Sequence, residues 1–354
     1  EKIASRIRTG EEIVKSKKSG FTWRQRAVFE VFNRFEPLKR YAKKAGVEET
    51  WDDPTIQAFN ILNKNTIVQN WLGRKSTPIL LRDGNWEVVT EGSVADYQKL
   101  VKGKESEFIS YLVARRVVSL HNTITQMKNM GEATSRLESI VKKDDFDLAD
   151  ATAVVDKYDK EFLEATRIFD AINRNLIRFS YENDLINKDQ TNSFLSEKGY
   201  ASFSRYVEDE LEGALGTIKT GAKSKVSSFK ERTGSTLDIV DPTYSQVMAI
   251  NEIVGKSMEN RLWNIVDGLA AKDPEIAARF EKIEPMPAVD KQGKVSFPQE
   301  HDPSMIRFFK NGKREFRKAA PEFLAVMKAL RGKEKDLFVN LIRLPSSVFT
   351  RLTT

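Results

Sequence analysis

The chain carries two histidines, His121 and His301, and no cysteine in its 354 residues. Histidine supplies most general acid–base pairs and zinc ligands, and cysteine supplies thiolate ligands and nucleophiles. Neither chemistry has its usual groups here. His121 follows Arg115-Arg116 within a helical pattern and reads as a helix-surface residue, while His301 stands before Asp302-Pro303 in a Pro-rich turn. Two carboxylate clusters remain, Asp52-Asp53 and Asp144-Asp145-Asp147-Asp150. The second lacks the glycine and terminal Glu of a calcium loop, and acids so placed favour a helix start through the helix dipole. No phosphate loop GxxxxGK[ST], dinucleotide GxGxxG, nucleophile elbow GxSxG or metalloprotease HExxH occurs. The reading is a non-enzymatic protein with no catalytic residue, no cofactor site and no metal ligands.

Cations offer a second kind of chemistry. Lys15, Lys17 and Lys18 interleave with Phe21, Trp23, Arg24 and Arg26, and a basic stretch holds Lys219, Lys223, Lys225, Lys230 and Arg232. Such groups contact phosphates without reading sequence, and aromatics stack on bases. Lys223, Lys225, Lys230 and Arg232 are therefore the candidate nucleic-acid residues, with binding expected to fall steeply with salt. Charge is also uneven along the chain. Residues 1–44 hold 13 Lys/Arg against 5 Asp/Glu, residues 301–354 hold 12 against 5, and the whole chain is +7, so the middle is acidic. Basic ends suit a polyanion, or an acidic middle in the same or a neighbouring chain.

Positioning these groups falls mainly to helices. Asp53-Pro54 supplies a helix cap and first-turn proline. Ile79-Leu80-Leu81, Asp83-Gly84-Asn85 and Trp86–Val89 read as a β-hairpin, and Ser93 caps a short helix after it. A helix is expected from Glu105 to about Met130, stopping at Gly131. A helix of roughly 38 residues, spanning about 55 Å, is expected over residues 148–185, where apolar residues recur in threes and fours without Pro or Gly. Residues 213–236, rich in Gly, Ser, Thr and Lys, read as a mobile basic loop or linker between a helical region at 1–212 and another at 237–354. Helix resumes at Pro242 and again after Asp273-Pro274, and residues 284–303 hold four prolines and read as extended. A second hairpin at 305–317 turns on Asn311-Gly312, a pair suited to a type I′ turn. The fold class expected is mainly α, an elongated multi-helix assembly with two small β-hairpin insertions.

The last segment is dense in apolar residues. Leu337, Phe338, Leu341, Ile342, Leu344 and Phe349 form a candidate partner interface, and the flanking Lys and Arg also suit a membrane surface, the weaker of the two readings. No apolar run approaches the roughly 20 residues that cross a bilayer. Residues 1–18 are charged throughout, unlike a signal peptide. The chain begins at Glu1 without Met and ends within a helical pattern, which predicts a piece of a longer protein.

Several stretches, taken in order, resemble a known family. Residues 227–260, SSFKERTGSTLDIVDPTYSQVMAINEIVGKSMEN, combine a basic run, the aliphatic pair Ile239-Val240, Asp241-Pro242 and a long helix carrying Asn260. Upstream stand WRQRAVFEVFNRFEPL at 23–38, Asp52-Asp53-Pro54, and YLVARRVVSL at 111–120. Downstream, residues 304–330 carry FFKNGKREFR before PEFLAVMKAL. This ordered set, covering most of residues 20–350, resembles the large polyvalent protein-associated domains found in very long proteins of phages and mobile elements. At residues 199–210, GYASFSRYVEDE, the chain departs from that family: Ser204 stands where it usually has a proline. The resemblance implies a host-delivered accessory domain without assigned catalysis, of ejection or internal virion protein type. It implies other segments or subunits of a phage assembly as partners, homo-oligomers in the virion, possible DNA contact, and a place in the virion interior and then the host cytoplasm or cell envelope. The lack of cysteine fits such compartments. Two other classes stand beside this reading: a sequence-independent nucleic-acid-binding module, and an enzyme- or toxin-associated domain with unrecognised chemistry.

Overall fold

The computed structural model describes most of residues 35–134, 147–196 and 242–330. Within them, Pro37 in the first turn opens α1 (Glu36–Ala45), and Gly46 at φ +68 closes it with the left-handed step that a helix C-terminus favours. Leu38, Tyr41 and Ala42 face inward. Asp53 starts α2 (Pro54–Leu62) as its sequence implies, its carboxylate accepting the Thr55 N–H at 2.8 Å. A break at Asn63 then separates α2 from α3 (Lys64–Gly73), which turns Val68 and Trp71 inward.

The first hairpin joins β1 (Thr77–Leu80) to β2 (Trp86–Val89), with Thr77 opposite Val89 and Leu80 opposite Trp86. Its turn contains Gly84 at φ +91, and a Cβ there would lie 2.2 Å from Trp51 Cβ. Next comes α4 (Val94–Leu100), where Ser93 donates both its N–H and its hydroxyl to the Asp96 carboxylate. Two long helices follow, α5 (Glu105–Asn129) and α6 (Leu148–Glu182). Aromatic edges bind them: the Phe108 and Phe162 rings lie 5.3 Å apart and Tyr111 and Phe162 5.6 Å. α5 stops at Gly131, φ +74, as expected, and Asp147 caps α6 by accepting the Ala149 N–H. α6 has 35 residues and ends at Glu182, short of the expected 185. The cause is local. Asn183 donates its side-chain amide to Phe179 O and Leu80 O, and Asp184 takes φ +60, so the chain turns there into α7 (Lys188–Ser196).

After the second stretch outside the described residues come α8 (Pro242–Ala270) and α9 (Pro274–Arg279), the latter capped by Asp273. Then follow β3 (Phe280–Ile283), β4 (Ala288–Val289), β5 (Val295–Ser296), β6 (Met305–Lys310) and β7 (Lys313–Ala319), with residues 321–330 helical. An antiparallel sheet of order β3-β7-β6 forms, and β4 pairs with β5. Strands were expected only within 79–89 and 305–317, so β3, β4 and β5 correct that reading. β3 is four residues long, with Phe280 inward and Glu281 and Lys282 outward, too short for a period to register. Asn311 and Gly312 have φ +51 and +71, the pair of positive values a type I′ turn requires.

The fold is mainly α with small antiparallel sheets. One hydrophobic cluster runs from Phe35 to Leu330, so the described parts of the two regions flanking 213–236 share a single core. No described helix is long and apolar enough to cross a membrane.

Candidate functional site

α8 is covered nearly all round, with Ile250, Val254, Met258, Leu262, Trp263 and Val266 fully buried. A helix of that kind belongs in a core. Yet Gln246, Asn260, Arg261, Asn264 and Asp267 also lie along it, and a covered amide or charge needs a partner. Each finds one on another element. Gln246 donates to Phe169 O on α6 at 3.0 Å and to Asn173 Oδ1 at 2.7 Å.

Asn260, 3% exposed, makes the densest set of contacts. Its Nδ2 donates to Phe309 O at 2.9 Å and to Asn183 O at 2.6 Å, while its Oδ1 accepts the Phe309 N–H at 2.5 Å. Asn264 donates a second bond to Phe309 O at 2.7 Å. The β6–β7 register pairs Lys310 with Lys313 across a two-residue turn, so Phe309 presents its N–H and C=O away from β7. The Asn260 amide thus fills the place of a further strand on β6. Two turns on from Asn260, Asp267 Oδ1 accepts Arg317 Nε at 2.7 Å and Oδ2 accepts Lys310 Nζ at 2.9 Å. Arg317 also donates to Glu315 and lies over the Phe308 ring.

Arg261 reaches the other hairpin. It donates to Leu81 O at 2.7 Å and Arg82 O at 3.3 Å. Burial pushes its guanidinium pKa down, against the pull of the Asp52, Asp83, Asp184 and Glu182 carboxylates. The loop at Asp184 completes the junction, its carbonyl accepting the Gly312 N–H at 3.0 Å. Three turns, at 81–85, 183–187 and 311–312, therefore converge on α8. A Cβ on Gly312 would stand 2.6 Å from the Asn187 backbone nitrogen at a φ that L-residues resist. Gly312→Ala is expected to destabilise the fold by roughly 2–4 kcal/mol, combining left-handed strain and overpacking. Chemical denaturation measures it; a change within ~0.5 kcal/mol would mean that the tip is not seated here.

Chemically, these groups are engaged by the chain itself. Tyr111, whose hydroxyl donates to Asp159 at 2.6 Å, has its pKa pushed up to about 12, first by burial and then by that carboxylate, so it stays a phenol. No group of three or more His, Asp or Glu that could hold a metal ion occurs among the described residues. A cleft of about 420 Å³ between α5 and α6 is lined by Ser106, Glu107, Ser110, Val154, Lys157 and Tyr158 among others, and Lys157 lies over the Tyr158 ring.

Surface ion pairs tie elements together as well. Glu87 on β2 receives two bonds of 2.7 Å from Arg178 on α6, and Lys44 on α1 meets Asp273 and Glu275 at α9. The Arg178 guanidinium holds Glu87 below the usual carboxylate range, and the Lys44 ammonium does so for Asp273 and Glu275. A depressed folded-state pKa stabilises above the unfolded value, and that stability is lost as pH falls through the folded value. Stability should therefore drop on acidification below about pH 4, and Glu87→Gln with Glu275→Gln should flatten that drop. Urea midpoints read across pH test this, and identical slopes in the variant would contradict it.

Of the residues singled out in sequence, Asp53 and Asp147 are helix caps and His121 is a half-exposed residue of α5. Lys223, Lys225, Lys230 and Arg232 lie outside the described residues, as do Leu337, Phe338, Leu341, Ile342, Leu344 and Phe349. The polar row on α8 was not anticipated. Its signal was present: Asn260, Asn264 and Asp267 fall at helical spacing on one long helix, among the apolar positions Leu262, Trp263 and Val266. Comparison with known protein families, with curated proteins and with solved structures gives no match to this chain.

Proposed function

We propose that this chain is a non-catalytic structural or accessory module of a large phage protein, packaged inside the virion and delivered to the host with DNA. The observation that supports it best is the direction of the α8 polar row, since Asn260, Arg261 and Asp267 bond the chain's own turns and the β6–β7 hairpin. Two of the stretches that carry the family resemblance meet there: Asn260 closes the 227–260 segment and Phe309 lies in FFKNGKREFR. In this reading the motifs are the joints of a scaffold. Partners are other segments or subunits of the same assembly, within the virion and afterwards in the host cytoplasm or envelope.

Mass spectrometry of purified, nuclease-treated particles of the encoding phage tests the proposal. Peptides from residues 35–330 are expected in intact particles, protected from protease until DNA release is triggered. Peptides confined to infected-cell lysate would overturn it.

A further inference from the structure

The small sheets treat their edges unequally. An open strand edge offers unpaired N–H and C=O groups to any other strand, and proteins usually block it. On β1 three of the outward-facing positions' four polar groups are out of play: Pro78 has no N–H, its carbonyl accepts Trp71 Nε1 at 3.2 Å, and Leu80 O accepts the Asn183 amide. On β6, Asn260 and Asn264 cover Phe309. Among the described residues none does the same for β2. The Leu81 N–H to Asn85 O bond sets the phase of the ladder, so Ile79–Glu87 and Thr77–Val89 are its bonded pairs. The backbones of Trp86, Val88 and Thr90 then point away from β1, and Val88 is 59% exposed on a strand that neither charge nor proline protects at that position.

We infer that the outer edge of β2 pairs antiparallel with β2 of a second copy of this chain, about a two-fold axis at Val88. Charge selects this register. Centring on Glu87 would place Glu87 opposite its own copy, a like-charge pair that destabilises sheets. Centring on Val88 sets Val88 against Val88 and Glu87 against Val89, and leaves the Glu87–Arg178 pair intact. Trp86 then faces Thr90 of the copy, giving about six backbone hydrogen bonds in an isologous contact. Each copy's two-stranded ribbon, marginal in length and width alone, becomes part of a four-stranded sheet. The inference rests on the backbone of β2 and is independent of a role in phage delivery.

The chain has no cysteine, so Val88→Cys introduces a single thiol. Opposed Val88 positions would bring Cα atoms to about 5.5 Å, within disulfide reach. Mild oxidation is expected to cross-link Val88→Cys into a dimer at least about tenfold faster than Leu163→Cys, a site on α6 that is 64% exposed. In sedimentation velocity the full chain should show a concentration-dependent dimer. Val88→Lys should weaken it at least about tenfold while Val88→Thr retains it, each checked for folding by circular dichroism. The apolar segment containing Phe338 and Ile342 offers another route to self-association. A dimer that survives Val88→Lys and is lost in Phe338→Asp/Ile342→Asp would overturn the inference, as would a monomer at all concentrations or equal cross-linking at the two sites.

Discussion

Asp267→Ala is expected to cost about 3–5 kcal/mol of folding stability, because it leaves the Arg317 guanidinium buried without its carboxylate. Asp267 is 7% exposed and Arg317 4%, so solvent cannot supply the lost screening. Glu315 and the Phe308 ring retain part of the interaction, which keeps the loss below that of an isolated buried charge. Removing both charges should behave differently. Asp267→Leu with Arg317→Met is expected to recover at least about half of the loss, since apolar groups of similar volume replace a buried pair at little net cost. Urea denaturation of the three proteins decides it. A double variant as unstable as Asp267→Ala would mean that Asp267 acts through Lys310 or through packing.

Asn260→Ala should cost roughly 2–4 kcal/mol, because it orphans the Phe309 N–H and the Asn183 carbonyl in a covered site. Phe309 O keeps Asn264, which sets the upper limit. Asn260→Asp separates the parts: it retains an acceptor for the Phe309 N–H but sets a buried carboxylate oxygen against the Phe309 and Asn183 carbonyls, so it should be at least as destabilising as Ala. An Asn260→Ala protein as stable as wild type would show that the amide does not close the edge of β6.

Sequence carried the helices whose ends have chemical markers. Asp53-Pro54 and Asp147 announced starts, Gly131 a stop, and Asn311-Gly312 a two-residue turn, because each acts through its own backbone. The end of α6 was misplaced because Asn183 is recruited by Leu80, a contact between residues about 100 positions apart that no local pattern encodes. β3 escaped for a related reason: its place is set by β7, from Phe280 opposite Ala319 to Ile283 opposite Phe316. The α8 row was visible as polar residues at core spacing, yet its meaning depended on which carbonyls the fold would bring to it. Composition showed where the cations are concentrated, and those at 223–232 fall outside the described residues.

Amide hydrogen exchange in wild type and Asn260→Ala tests most directly the central claim that the α8 polar row locks the turns into one structural module. The Phe309 and Gly312 amides, held by Asn260 and by Asp184 O, should be among the slowest of the β6–β7 hairpin in wild type. In the variant both should speed up together by about 30-fold or more, the factor that ~2 kcal/mol implies, while amides in the middle of α5 change little. Acceleration of Phe309 alone, with Gly312 unchanged, or fast exchange of both in wild type, would contradict the account.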